Sequence, residues 1–250
     1  MDILLSLAAG LASALIFLGT ASLAVYWALL KNFKPQTAIL MGALVILVYV
    51  GGSFAADQLG THPDSWAEIQ QNFDQIWQVK AKALAEDKMP QADINMIQGL
   101  FKKYFLFCFP AWIISGSLFA GVIAYYLVSS IGARVTPRIN APVPFWQWVV
   151  PEPMIFGLIL GVGLMVFSGE NTWMETTGNN LIVLFLAIYT FAGLTITSFY
   201  FKKWRFPPLA RLLSYALLFE LTFNSVCLLG ILDIWLDFRK LKKPPVEPTA

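Results

Sequence analysis

The chain has 250 residues, of which 58% are hydrophobic and only 13% charged, and its mean hydropathy is +0.66. A soluble domain carries about a quarter charged residues, so these proportions exclude a single water-facing globule and fit a polytopic membrane protein with long apolar blocks. A net charge of +2 lacks the basic excess of a nucleic-acid footprint, which excludes nucleic acid as a partner.

The reactive side chains exclude more. Cys108 and Cys227 lie in separate apolar blocks, and His62 is the sole histidine. Neither a disulfide framework nor a zinc site is readable from them, and nucleophile–histidine arrangements lack raw material. No P-loop or dinucleotide fingerprint occurs. The expectation is a non-enzyme with no catalytic residue, no metal and no cofactor.

A first span runs from Ile3 to Leu30 and stops at Lys31. Met1-Asp2 supplies no basic leader and the run is longer than a signal-peptide core, so it is expected to be a retained helix. A second span from Thr37 to about Ala56 completes a hairpin. From Asp57 to Lys103 the composition turns acidic, with Asp57, Asp64, Glu68, Asp74, Glu86, Asp87 and Asp93. Ser65-x-x-Glu68 has capping-box spacing, and Trp66, Ile69, Phe73, Ile76, Trp77 and Leu84 recur with helical period. An extramembrane amphipathic helix is expected, ending near Glu86–Pro90, whose stripe reads first as packing against the ends of the spans and second as an interfacial helix or a lid over an opening in the bundle.

The third span is expected from about Tyr104 to Ile131, entered by helix from near Ala92 and kinked at Pro110. A proline-rich linker with the aromatic cluster Phe145-Trp146-Gln147-Trp148 then marks the headgroup level. The fourth span, Pro153 to Phe167, is short, and its Gly157-x-x-x-Gly161 is a packing face. The fifth runs from Asn180 to about Phe201, with Asn179 and Asn180 as its amino-terminal cap, and the sixth from about Ala210 to Leu236. The tail 242–250 is expected to be disordered. Four regions follow: a transmembrane hairpin, 1–56; the amphipathic segment, 57–103; a four-helix transmembrane region, 104–241; and the tail.

In a six-span arrangement Lys31, Lys34, Arg134, Arg138, Lys202, Lys203, Arg205 and Arg211 fall on one side. Lys102, Lys103, Arg239, Lys240, Lys242 and Lys243 fall on the other. The positive-inside rule is nearly balanced and places the amino terminus outside by a small margin.

Ionisable groups within spans are functional candidates because insertion costs about 2.5–3.5 kcal/mol. Glu220 stands near the middle of the sixth span, with Asn224 four residues on and Thr222 and Ser225 close by. A ligand, cation or proton site and a structural hydrogen bond between helices are equally compatible with this spot. Asp233 and Asp237 have the same i,i+4 spacing, with Trp235 between them and Arg239-Lys240 after. That motif reads first as interfacial salt bridging with an aromatic-belt tryptophan.

Three stretches carry a resemblance: Pro142-Val143-Pro144-Phe145-Trp146-Gln147-Trp148-Val149-Val150-Pro151; Asn180 ahead of Tyr189-Thr190-Phe191-Ala192-Gly193-Leu194; and Gly230-Ile231-Leu232-Asp233-Ile234-Trp235-Leu236-Asp237-Phe238-Arg239-Lys240. Together they resemble the YybS family of bacterial membrane proteins, over roughly the last three quarters of the chain, with a shortened amino-terminal set of spans. That family is distantly similar to the substrate-capturing subunits of energy-coupling-factor vitamin transporters. The resemblance implies small-molecule binding in the bacterial cytoplasmic membrane, while the candidate ligand residues, Glu220, Asn224 and Asn180, follow from their polar side chains within or at the start of the spans.

The sequence reading is therefore all-α, a polytopic bundle of about six transmembrane helices plus one extramembrane amphipathic helix. Its partners are the lipid bilayer and either a small-molecule ligand, as a binding or transport component, or a protein docked by the extramembrane helix, as a non-transporting scaffold.

Overall fold

The computed structural model describes residues 2–56, 65–169, 172–221 and 223–241. The expected disorder of the tail 242–250, and the acids Asp57 and Asp64, lie outside them. Among the described residues the regular elements are all helices, with no strand: α1 (Asp2–Leu30), α2 (Pro35–Ala56), α3 (Ser65–Glu86), α4 (Gln91–Phe107), α5 (Phe109–Val135), α6 (Ile155–Val166), α7 (Trp173–Lys203), α8 (Pro208–Leu221) and α9 (Phe223–Leu236). Among the described residues, three stretches are long and apolar enough to cross a membrane, Pro35–Ser53, Phe109–Val135 and Trp173–Lys203.

The chain divides into two compact units, 1–142 and 143–250. The division falls within the proline-rich linker, so α5 belongs with α1 and α2.

In the first unit α1, α2 and α5 pack on one another through small residues. Ala21, Ala28, Ala38, Ala43 and Ala124 are buried, and a Cβ on Gly121 would lie 2.6 Å from the Ile39 carbonyl. With lipid outside, helices gain little by burying large apolar groups, so small residues that allow close backbone approach line the contact. The opposite face of α5 exposes Phe119, Ile123, Leu127, Ile131 and Val135 at four-residue intervals, as a lipid-facing stripe does.

Helix ends in this unit follow local chemistry. After α1 the chain turns at Asn32, φ 58°, where Phe33 N–H bonds the Ala28 carbonyl and Asn32 N–H the Leu29 carbonyl. This is a Schellman stop, and the Trp27 and Phe33 rings meet across it at 6.0 Å. The same stop closes α3 at Lys88, φ 63°, ahead of Pro90, where the sequence expects it.

The stripe of α3 packs on α4, which leads into the third span and carries its first residues. Trp77 lies against Phe101 at 5.9 Å and Phe73 against Phe105 at 5.4 Å, and Lys102 bonds Asp74 at 2.7 Å. The helix starts at Ser65 as expected, although the Ser65 side chain is outside the described set. The kink expected inside the third span is a full break. Pro110 has no N–H and its ring crowds the carbonyl four residues back, so α4 stops at Phe107, Cys108 takes φ −90°, ψ 8°, and α5 begins with Pro110 in its first turn.

In the second unit α6 runs antiparallel to α7, with Gly157 against the Phe185 ring and Gly178 against the Gly161 carbonyl. The glycine pair of the fourth span is thus a packing face. The expected start of the fifth span is corrected: α7 begins at Trp173, and Thr172, not Asn179 or Asn180, caps it, its hydroxyl accepting from Glu175 N–H at 3.2 Å. Thr172-x-x-Glu175 has capping-box spacing, which places the asparagines two turns inside the helix.

The expected single sixth span is also corrected. The thiol of Cys227 donates to the Leu186 carbonyl at 3.6 Å, the Tyr200 hydroxyl donates to the Phe238 carbonyl at 3.3 Å, and Arg239 reaches Thr195 at 3.0 Å. Residue numbers rise together, so α9 runs parallel to α7. The preceding α8 starts just beyond Lys203, and its Tyr215 ring meets Phe201 at 5.2 Å. It therefore runs the opposite way. Each of these helices has 14 residues, about 21 Å of rise, against about 30 Å of hydrocarbon. The two form a helical hairpin that returns to the side it left.

Candidate functional site

The parallel contact between α7 and α9 rests on two glycines. A Cβ on Gly193 would collide with the Val226 carbonyl, and one on Gly230 with the Tyr189 carbonyl. Each glycine thus faces the carbonyl four residues before the other, a reciprocal approach that only a residue without a side chain permits and that suits Cα–H···O contacts.

One turn beyond this contact sits a buried ion pair. Arg239 Nη2 donates to Asp233 Oδ2 at 2.9 Å, and the two side chains are 1% and 9% exposed. The guanidinium does more than neutralise. Its Nη1 donates to the carbonyls of Trp146 and Trp148, at 3.0 and 2.7 Å, and to Thr195 Oγ1 at 3.0 Å. Asp233 in turn accepts from Phe238 N–H through Oδ1 at 2.9 Å, which ties off α9 where Asp237 takes φ 40°. An exposed ion pair is worth little, whereas a buried one is held by the groups that satisfy its remaining donors and acceptors.

The sequence explains why a cation is needed there. The linker ahead of α6 carries Pro142, Pro144, Pro151 and Pro153 and forms only two short 3₁₀ turns, Phe145–Gln147 and Glu152–Met154. It lies along α7, with Phe145 against Phe191 at 5.2 Å and Trp146 against Phe199 at 6.0 Å. Irregular backbone beside a membrane-crossing helix must have its carbonyls satisfied by protein. Arg239 satisfies two, and Lys202 closes the outside with its ammonium 4.0 Å from the centre of the Trp146 ring.

The other candidates lie apart from this cluster. Asn180 Nδ2 donates to the Thr176 carbonyl at 2.8 Å within its own helix, while buried Asn179 leaves its Nδ2 without a partner. Glu220 falls in the last turn of α8, its side chain outside the described set, and Asn224 is exposed in the first turn of α9. They belong to different helices, so their four-residue spacing does not put them on one face. Trp235 is 65% exposed, and Asp237 Oδ1 accepts from Leu241 N–H. Among the described residues no group of three or more His, Cys, Asp and Glu could hold a metal.

Sequence reasoning passed over Thr195 and the Trp146 and Trp148 carbonyls as partners of Arg239. A proline-rich stretch whose carbonyls lack regular partners, with Arg239 just past the end of the last apolar stretch, was the available signal.

Residues 1–234 match the family described as "Predicted membrane protein (DUF2232)". The chain belongs to that family. The match spans α1 through most of α9, so the glycine contact and Asp233 lie inside it, and Arg239 follows just beyond. As a member of a membrane-protein family the chain contacts the lipid bilayer, consistent with its apolar helices. No curated protein and no solved structure matches it.

Proposed function

We propose that this chain is a YybS-like, multi-pass protein of the bacterial cytoplasmic membrane that acts as a small-molecule binding or transport component and not as an enzyme. The observation that supports the reading is the reversal between α8 and α9. Two helices too short to cross meet part-way through the bilayer, and interrupted helices of this kind are where transport proteins bring polar groups to mid-depth. The stretch at the reversal is also the most polar of the hairpin, with Glu220, Thr222, Asn224 and Ser225. In this reading α1, α2, α5 and α7 cross the membrane as helices, the 12-residue α6 crosses together with the linker ahead of it, and the α8–α9 hairpin replaces a sixth crossing.

The test uses purified full-length protein and a panel of water-soluble vitamins, the ligand class the YybS resemblance implies. A vitamin that binds at 100 times its Kd should stabilise the fold by about 2.7 kcal/mol. Glu220→Ala should abolish that shift while leaving unfolding cooperative. A shift unchanged by Glu220→Ala removes the α8–α9 reversal as the site.

A scaffold role has one observation in its favour. After α3 has packed on α4, its Ile76 and Val79 remain 65% and 71% exposed, a surface on which a protein partner could dock.

A further inference from the structure

The reversal of α8 and α9 redistributes charge. A single crossing from Pro208 to Leu236 would put Lys240 at the far end of the second unit from Lys203. Because α9 runs parallel to α7, Lys240 instead returns to the end that carries Lys202, Lys203 and Arg205, with Arg211 in the first turn of α8. The contacts of this end fix that placement: Tyr200 to Phe238, Arg211 Nε to the Phe206 carbonyl at 2.8 Å, and Lys202 over Trp146. The five bases are accompanied in 200–212 and 236–241 by one carboxylate, Asp237. Among the described residues, the opposite end, where α6 joins α7, carries Glu175 and no base.

The same end has the apolar features of a bilayer surface. Trp204 is 62% exposed, and exposed Trp235 lies one turn before Lys240. At the other end of α7, Trp173 is also exposed. The 31 residues of α7 span about 46 Å, close to the thickness of a bilayer with its headgroups. The two tryptophans therefore mark two headgroup layers, and the bases lie in one of them.

We propose that this basic face of the second unit is a docking surface for the phosphate headgroups of anionic lipids and is the cytoplasmic face. A cluster of four to eight bases beside a crossing helix attracts anionic lipid by roughly a fivefold gain in affinity per charge, and Lys/Arg excess marks the cytoplasmic side. The turn is shaped for exposure. Arg205 takes φ 55° in the Schellman stop of α7, with Phe206 N–H on the Phe201 carbonyl, which turns the chain sharply between Lys203 and Arg205. The Phe201 and Phe206 rings stack beneath it at 5.1 Å.

The experiment follows thermal unfolding of the full chain in a neutral detergent with added phosphatidylglycerol, phosphatidylcholine or inorganic phosphate. Phosphatidylglycerol should raise the unfolding temperature saturably, and the gain should weaken at high salt. Phosphatidylcholine and inorganic phosphate should have no such effect. Arg205→Gln with Lys240→Gln, which leaves the Lys202–Trp146 contact intact, should raise the half-saturating phosphatidylglycerol concentration by at least tenfold. Lys80→Gln with Lys82→Gln, on α3, should leave it unchanged. Equal stabilisation by phosphatidylcholine, equal stabilisation by inorganic phosphate, or an unchanged half-saturation in the Arg205/Lys240 variant overturns the proposal. Should that variant fail to fold, Lys203→Gln is read in its place, with about a fivefold rise expected and no change overturning the proposal.

Discussion

Arg239 makes more hydrogen bonds than an ion pair requires, and that excess sets what its removal should do. Asp233→Asn leaves the guanidinium buried without a counter-charge, which should destabilise the second unit by about 3–5 kcal/mol. Buried ion pairs elsewhere can often be replaced by apolar residues with little loss. That rescue should fail here, because the double variant Asp233→Leu, Arg239→Met leaves the Trp146 carbonyl without its arginine donor, at a cost of about 1–3 kcal/mol, and leaves the Trp148 carbonyl only the Thr195 hydroxyl at 3.3 Å. Thermal unfolding followed by tryptophan fluorescence checks both. A double variant as stable as the parent would show that the linker does not depend on the arginine. The Asp233–Arg239 pairing was one step from legible, since the motif names both residues and an ion pair between them. Its burial was not, because the sequence shows Arg239 followed by lysines and a polar tail, while the groups that bury it come from a linker about ninety residues away.

At the scale of elements, the α7–α9 contact depends on two glycines, and α6 provides an internal comparison. A Cβ on Gly193 or Gly230 meets backbone carbonyls that cannot rotate away, whereas a Cβ on Gly163 meets nothing within 4 Å. Gly193→Ala and Gly230→Ala should each destabilise by about 1–3 kcal/mol, the usual penalty for overpacking. Gly163→Ala should be neutral or stabilising by up to about 1 kcal/mol, since alanine is the better helix former. Equal effects at all three positions, measured by thermal unfolding, would remove close approach as the cause. The element boundaries show how far pattern reading goes. The end of α3 followed from Pro90, a local signal. The start of α7 was missed by seven residues because Gly178-Asn179-Asn180 looks like a stop-and-cap signal, while Thr172 and Glu175, the residues that satisfy the first turn, lie in a less apolar stretch upstream. Pro110 was a correct warning, but whether a proline bends a helix or divides it depends on how much packing holds the two sides in line.

For the whole molecule, the reversal between α8 and α9 is what hydropathy could not reveal. The stretch from Ala210 to Leu236 is apolar almost throughout, long enough for one crossing, and has no proline or glycine between Pro208 and Gly230. Hydropathy measures length and greasiness, not direction. Direction is fixed by contacts such as Cys227 with Leu186 and Phe238 with Tyr200, which join residues far apart in sequence. The consequence is open to a direct test on intact cells. A single crossing puts residues 205 and 240 on opposite sides of the membrane, whereas a returning hairpin puts them on the same side. The native Cys108 and Cys227 are buried, so they should give little background with a membrane-impermeant thiol reagent. Arg205→Cys and Lys240→Cys, made singly in the full chain, should then share one labelling pattern, protected in intact cells and modified once the membrane is opened, because the basic end faces the cytoplasm. Opposite patterns at the two positions would restore a sixth crossing and separate the lysine at 240 from the bases of the α7–α8 turn. Labelling of both in intact cells would keep the hairpin but turn the basic face outward, away from the side on which positive loops are retained.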